Sequence, residues 1–213
     1  MKKSYNILRK RLSLSGLLVG LSLFALPKAE AIVWGHPNPA WSGFTITKYI
    51  NGQRQDASNY CGPASAQSML THDMGFSTPS QAALASAMHW GGTGVWPWYF
   101  ASGLNKYTPK RKYSWADWSS WPYGELLYQY MKTRLGAKGE SASILVSANL
   151  YGKGSQWEAH WITITGFSPS YLTHHTWQVW DSRENYGNYH HLTVRDWSSY
   201  FYLGTAPAVY PTD

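Results

Sequence analysis

The stretch NYCGPASAQSML, residues 59–70, decides how the chain is read, because it holds the only cysteine among 213 residues. A lone cysteine has no partner in its own chain, so it is either a small buried hydrophobe or a reactive group. Gly62 and Pro63 follow it, and then the helix formers Ala64, Ala66, Met69 and Leu70. A helix that opens at Gly62 or Pro63 and ends near Gly75 puts Cys61 at its N-terminal end. Free amide N–H groups and the helix dipole stabilise a thiolate there. Proline is tolerated at that place, since its missing N–H has no intrahelical partner to lose. Glycine beside the sulfur leaves room for a substrate backbone. On this stretch alone, a nucleophile and a structural cysteine fit about equally well.

Three more helices follow. In STPSQAALASAMHW (77–90), Thr78 is the expected cap, with Pro79 in the first turn and Gln81 completing a capping box. WPWYFASGLNKY (96–107) has Pro97 near its start. YGELLYQYMKTRLG (123–136) carries basic residues in its last turn, with Gly136 as the expected stop. The pattern then changes to short β-branched and aromatic runs at 142–151, 160–167, 176–181, 190–194 and 206–210, which read as strands. A further short strand is expected at Phe44–Thr47. Helices first and strands after predict an α+β fold, an N-terminal helical lobe packed on a C-terminal antiparallel β-sheet. KYSWADWSSWPYG (112–124) stands apart. Its Trp115, Trp118 and Trp121 suit a stacking surface for sugar or peptide, but a loop folded over the core is the expected reading.

A cysteine nucleophile needs a base, and the base needs an orienting group. Of eight histidines, His160 has a suitable address, at the start of the strand HWITITGF. The strand TWQVWD ends at Asp181, and eight residues, SPSYLTHH, separate the two runs. They are expected to pair as an antiparallel hairpin. If Phe167 faces Thr176, Ile162 faces Asp181, and Asp181 becomes a diagonal neighbour of His160 on the same face, at roughly 7–8 Å between backbones. A one-residue slip would break that relationship. Asp181 also suits the start of the turn DSRENYG. Acyl transfer further needs donors for an oxyanion. The Cys61 N–H is one candidate, and Gln55, six residues upstream, is another.

The order Gln55, Cys61, His160, Asp181 resembles the papain-like clan of cysteine peptidases. NYCGPASAQSML with HWITITGF and VWDS is more closely similar to cysteine peptidase family thirty-nine, whose bacteriocin-processing members cut after a double glycine. GTGVWPWYFASGLNKY also looks like that family's Gly-Thr step and following helix. The resemblance spans about residues 55–197. It implies Cys61 as nucleophile, His160 as base, Asp181 as orienter and Gln55 in the oxyanion hole. Two departures stand out. The leader-peptide processors usually precede an ABC transporter, whereas this chain has none and opens with an export signal, so double-glycine specificity is not carried over. Asp181 is followed by Ser182, where many relatives have proline.

The chain opens with a basic head (Lys2, Lys3, Arg9, Lys10, Arg11), an apolar run to Leu26, Pro27, and the small-x-small step Ala29-Glu30-Ala31. That is the pattern of a secretory signal peptide, so residues 1–31 are expected to be removed and 32–213 to form one peptidase domain. The leader holds 6 of the 18 Lys+Arg and 1 of the 11 Asp+Glu, which leaves 12 against 10 in the remainder. The basic pI therefore belongs mostly to the leader and gives no reason to expect a nucleic-acid partner. A secreted or cell-wall-associated protein is expected, a monomer with no membrane attachment in its mature form, acting on a peptide or protein. The stretch between Ile32 and Gln55 is too short for a typical inhibitory prodomain.

No cofactor or metal is expected. His174-His175 and His190-His191 are adjacent pairs, and neighbours on a strand point to opposite faces. HExxH, a GxSxG elbow and a phosphate loop are all absent from the sequence. Two other functions remain open. One is a cell-wall amidase or endopeptidase of the CHAP or NlpC kind, although their signatures around the cysteine differ. The other is an inactive binding protein on a peptidase fold, against which the complete Gln, Cys, His, Asp set argues.

Overall fold

Alternation along the strands sorts the core into two layers around one sheet. In β5 (Ala142–Ser147), Ala142, Ile144 and Val146 join one apolar cluster and Leu145 joins the other. β6 (Ala159–Ser168) does the same, with Ile162 and Ile164 in the first cluster and Trp161 in the second. The first cluster is closed by Leu127, Tyr128, Met131 and Leu135 of α4 (Tyr123–Lys138). The second is closed by three helices, α1 (Cys61–Met74), α2 (Gln81–Ala87) and α3 (Pro97–Tyr107). The predicted α+β architecture is present, and α4 adds a layer on the face opposite α1–α3.

The structure, a computed structural model, describes residues 36–37, 45–46, 51–74, 77–119, 123–148, 158–168, 176–183, 188–193 and 201–212. All belong to one unit, Ile32–Asp213. The expected leader, Trp121 and the His174-His175 pair lie outside them.

The remaining strands are β1 (His36–Pro37), β2 (Thr45–Ile46), β3 (Asn51–Gly52), β4 (Tyr113–Asp117), β7 (Thr176–Asp181), β8 (Asn188–Thr193) and β9 (Pro207–Pro211). The main sheet runs β4-β9-β5-β6-β7-β8, with β2 also pairing β6, and every pairing in it is antiparallel. β1 and β3 form a separate ribbon.

Four local expectations need correction. The segment predicted as a loop over the core contains β4, which pairs with β9 nearly a hundred residues away. Trp115 lies on this strand and is exposed, while Trp118 packs edge-on against Tyr210. Ser80 rather than Thr78 caps α2, accepting a hydrogen bond from the Ala83 N–H at 3.2 Å. Gly136 is inside α4 rather than at its stop. The helix ends where Gly139 takes φ +70° and its N–H reaches the Leu135 carbonyl at 3.2 Å, the left-handed cap that glycine favours.

The fourth concerns the β6–β7 register. Phe167 faces Trp177, not Thr176, yet Ile162 faces Asp181 as the predicted register requires. A β-bulge between Ile164 and Gly166 reconciles the two. One extra residue, Thr165, shifts the pairing by one along the strand. The shift also returns Phe167 to the α4 side, where it meets Tyr128 edge-on and lies beneath Gly136.

Candidate active site

The first i→i−4 bond of α1 runs from the Ala64 N–H to the Tyr60 carbonyl at 2.9 Å. Cys61 is therefore the first residue of the helix, and the Cys61 and Gly62 N–H groups have no helical acceptor. Pro63 sits where a third unpaired N–H would have been. Two contacts tie this helix start to the strand bearing His160. Ser65 Oγ donates to the Trp161 carbonyl at 3.2 Å, and Thr163 Oγ1 donates to the Ser65 carbonyl at 3.3 Å.

Gly62 has a different reason from the one expected. A Cβ on it would lie 3.0 Å from Val95 Cγ2 and 3.4 Å from Trp161 Cδ1. Val95 and Trp161 occupy that side of the backbone, so the glycine serves close packing rather than substrate entry. The Trp161 indole N–H donates to the Val95 carbonyl at 3.0 Å and its ring packs on Phe100. Both neighbours of Gly62 are thus fixed.

His160 and Asp181 are brought together from adjacent strands. His160 Nε2 lies 2.7 Å from Asp181 Oδ1. His160 also stands close enough to Cys61 that each shifts the titration of the other. With Nε2 held by the carboxylate, Nδ1 is the ring nitrogen left for the sulfur. Cys61 is 8 % exposed, His160 3 % and Asp181 fully buried.

The electrostatics follow from that geometry. Burial pushes the Cys61 thiol up, but the hydrogen bond and charge of His160, with the N–H groups of Trp161 and Gly62, outweigh it and lower it from the ordinary 9.0. Burial pulls the His160 imidazole down, and Asp181 and the cysteine more than reverse this, raising it to about 9. Burial raises the Asp181 carboxyl. His160 and then Arg183 hold it well below the usual carboxylate range. The arrangement favours the thiolate, imidazolium and carboxylate forms of the three groups over their neutral forms.

Arg183 is the member that the sequence reading missed. Its Nε donates to both carboxylate oxygens of Asp181, at 3.1 and 3.0 Å, and its Nη2 pairs with Oδ2. Its Nη1 reaches the Ala148 carbonyl at 2.7 Å, at the end of β5. A buried carboxylate needs such neutralisation. In sequence the only cue was a basic residue two positions past Asp181.

Gln55 arrives on the segment leading to α1. Its backbone N–H donates to the Ser182 carbonyl at 2.8 Å, so the residue after Asp181 anchors it. That bond uses only a carbonyl, which proline would supply equally well, so serine at 182 leaves this anchor intact. The Gln55 Oε1 is buried with no hydrogen-bond partner among the described residues. One connected series therefore runs from Gln55 through Ser182, Asp181 and His160 to Cys61.

No family model and no curated protein sequence matches the chain. Solved structures do. The peptidase domain of Streptococcus ComA, a bi-functional ABC transporter involved in quorum sensing, is 17% identical with a TM-score of 0.50, over 75% of this chain and 97% of that one. The bromelain protease from Ananas comosus, solved with the E64 inhibitor, is 14% identical with a TM-score of 0.50, over 81% and 99%. The fold is papain-like. UfSP from C. elegans reaches a TM-score of 0.54 at 15% identity, over 83% of this chain and 35% of that one. At these identities the likeness is one of fold. Among the described residues, no group of three or more His, Cys, Asp or Glu is placed to hold a metal ion.

Proposed function

We propose that the chain is a cysteine peptidase. The observation that carries this reading is the buried relay of Cys61, His160 and Asp181 at the start of a helix, on a fold shared with peptidase structures. Cys61 thiolate attacks a peptide carbonyl carbon. Gln55 and the Cys61 N–H steady the oxyanion. His160 gives its Nδ1 proton to the leaving amine, the C–N bond breaks, and a thioester remains on Cys61. Water, deprotonated by His160, then hydrolyses the thioester. Asp181 orients the imidazole throughout, and Arg183 keeps Asp181 ionised. The protein is exported by its leader, and acts outside the cell or at the wall as a monomer on a peptide or protein, without a cofactor.

A second reading, a cell-wall endopeptidase, is favoured by one observation. Trp96, Trp98, Tyr99 and Trp115 are all exposed, and the Trp96 and Trp98 rings stack at 5.1 Å and 7°. Such a row suits a substrate that carries sugar rings beside peptide.

The test is mass spectrometry after brief treatment with an epoxysuccinyl thiol-peptidase inhibitor. One adduct on Cys61, absent in Cys61→Ala and in His160→Ala, is the expected result. A folded, reduced protein that forms no adduct and cleaves neither casein nor peptidoglycan stem peptide would instead make Cys61 a packing residue.

A further inference from the structure

Gln81 is the first residue of α2, is almost fully buried, and takes no part in the relay at Cys61. Its side chain reaches across to the segment that carries Gln55. Nε2 donates to the Arg54 carbonyl at 2.5 Å, and Oε1 accepts from the Asp56 N–H at 2.9 Å. The residues bonded are those immediately before and after Gln55. The second Nε2 hydrogen goes to Gln67 Oε1 at 3.0 Å, and Gln67 Nε2 is itself fixed on the Pro79 carbonyl at 3.0 Å. Both donors of the Gln81 amide and its acceptor are therefore used. The backbone also dictates which way the amide points, because a carbonyl needs a donor and an N–H needs an acceptor.

The same segment is pinned elsewhere. The Gln53 N–H donates to Ser68 Oγ at 2.9 Å, the Gln53 carbonyl accepts from the Trp180 indole at 2.9 Å, and the Gln55 N–H is held by Ser182. Ser182 fixes Gln55 from the β7 side, and Gln81 fixes it from the α2 side.

We infer that Gln81 is a positioning residue for the oxyanion donor, clamping the backbone on both sides of Gln55 so that its amide is placed before substrate arrives. This rests on the reading of Gln55 given above. Preorganised donors contribute most when they need no movement as charge develops, and a shift of about 1 Å in such a group costs on the order of 100-fold. The position uses both the donor and the acceptor of the amide. Leucine makes none of the bonds, and glutamate keeps the acceptor but cannot donate to Arg54.

Two reactions of the same sulfur separate positioning from mere support. Iodoacetamide alkylates the thiolate at carbon, displaces iodide and forms no oxyanion. p-Nitrophenyl acetate acylates it through a tetrahedral oxyanion, forming a thioester and releasing p-nitrophenolate. In the full chain, Gln81→Leu should slow acylation roughly 10–100-fold and leave alkylation within about twofold. Gln81→Glu should fall between, and in a Gln55→Ala background Gln81→Leu should add no further loss. The inference is overturned if Gln55→Ala slows acylation while folded Gln81→Leu and Gln81→Glu do not. It is also overturned if both variants lose alkylation and acylation in parallel, which is a folding defect. If Gln55→Ala itself acylates at the parent rate, the oxyanion reading of Gln55 fails, and this inference with it.

Discussion

Asp181 Oδ1 lies 2.7 Å from His160 Nε2, and across the same ladder Asp181 faces Ile162, two residues past His160. A diagonal pair on one face of a sheet thus becomes a direct hydrogen bond. The carboxylate is also held by Arg183, so it cannot turn away from the imidazole.

Asp181→Asn should be milder than His160→Ala, because an amide oxygen can still accept from Nε2. It removes the charge that raises the imidazole and leaves Arg183 without its anion. We expect a drop in kcat of roughly 10–100-fold and a loss of about 1–3 kcal/mol by urea denaturation. Equal loss in Asp181→Asn and His160→Ala would contradict the orienting role.

Alkylation and amide hydrolysis should differ in their pH profiles. Alkylation needs only the thiolate, so its rate should rise at a pH below the ordinary thiol value of 9.0 and stay high. Hydrolysis also needs the imidazolium, so it should fall as pH rises through about 9. A single rise near the ordinary thiol value in both reactions would show an unpaired cysteine.

Stability should respond to acid through Asp181. Its folded pKa is lowered from 3.8, so its contribution is complete above the unfolded value and is lost as pH falls toward the folded one. The Cys61–His160 pair behaves otherwise. Its two shifts oppose one another: the folded imidazole binds its proton more tightly and the folded thiol less tightly, so their slopes with pH have opposite signs. Urea midpoints of the parent and Asp181→Asn should converge on acidification.

Gly52→Ala should be among the most damaging changes at buried positions of the segment leading to the site. The new Cβ would fall 2.1 Å from Trp180 Cδ2, and that indole is anchored on the Gln53 carbonyl. A loss of about 3 kcal/mol is expected. Gly91→Ala, where a Cβ meets nothing within 4 Å, is the control and should melt with the parent.

Removing the buried Glu140 carboxylate should cost a similar amount. It is 2.9 Å from Arg134 and 3.4 Å from Arg111, and Lys138 stands 3.9 Å away. Glu140→Gln leaves these cations without their counter-charge, and about 3 kcal/mol should be lost in thermal or urea unfolding. Unchanged stability would mean that solvent already screens the cluster.

The parts of this structure that were legible in the sequence are those with local causes. Pro97 begins α3, and the run TWQVWD is β7 from first residue to last. The Ile162–Asp181 pairing follows from the sequence even though its Phe167 anchor is one residue off, because the bulge at Thr165 absorbs the difference. What could not be read depends on distant partners. β4 is a strand because β9 lies beside it, and nothing between 112 and 124 announces that. Gln81 binds backbone atoms 25 and 27 residues away, and every residue type supplies those atoms. The glycine at 62 answers to Val95 and Trp161, which are distant in sequence and which its immediate neighbours do not announce.

The solitary thiol at the start of α1 gives the protein a built-in counter. With one sulfhydryl among 213 residues, every equivalent of a thiol reagent consumed is consumed at the site itself. A colorimetric titration of native protein therefore reports the concentration of intact sites in a preparation, and a fluorophore attached through sulfur labels that position alone.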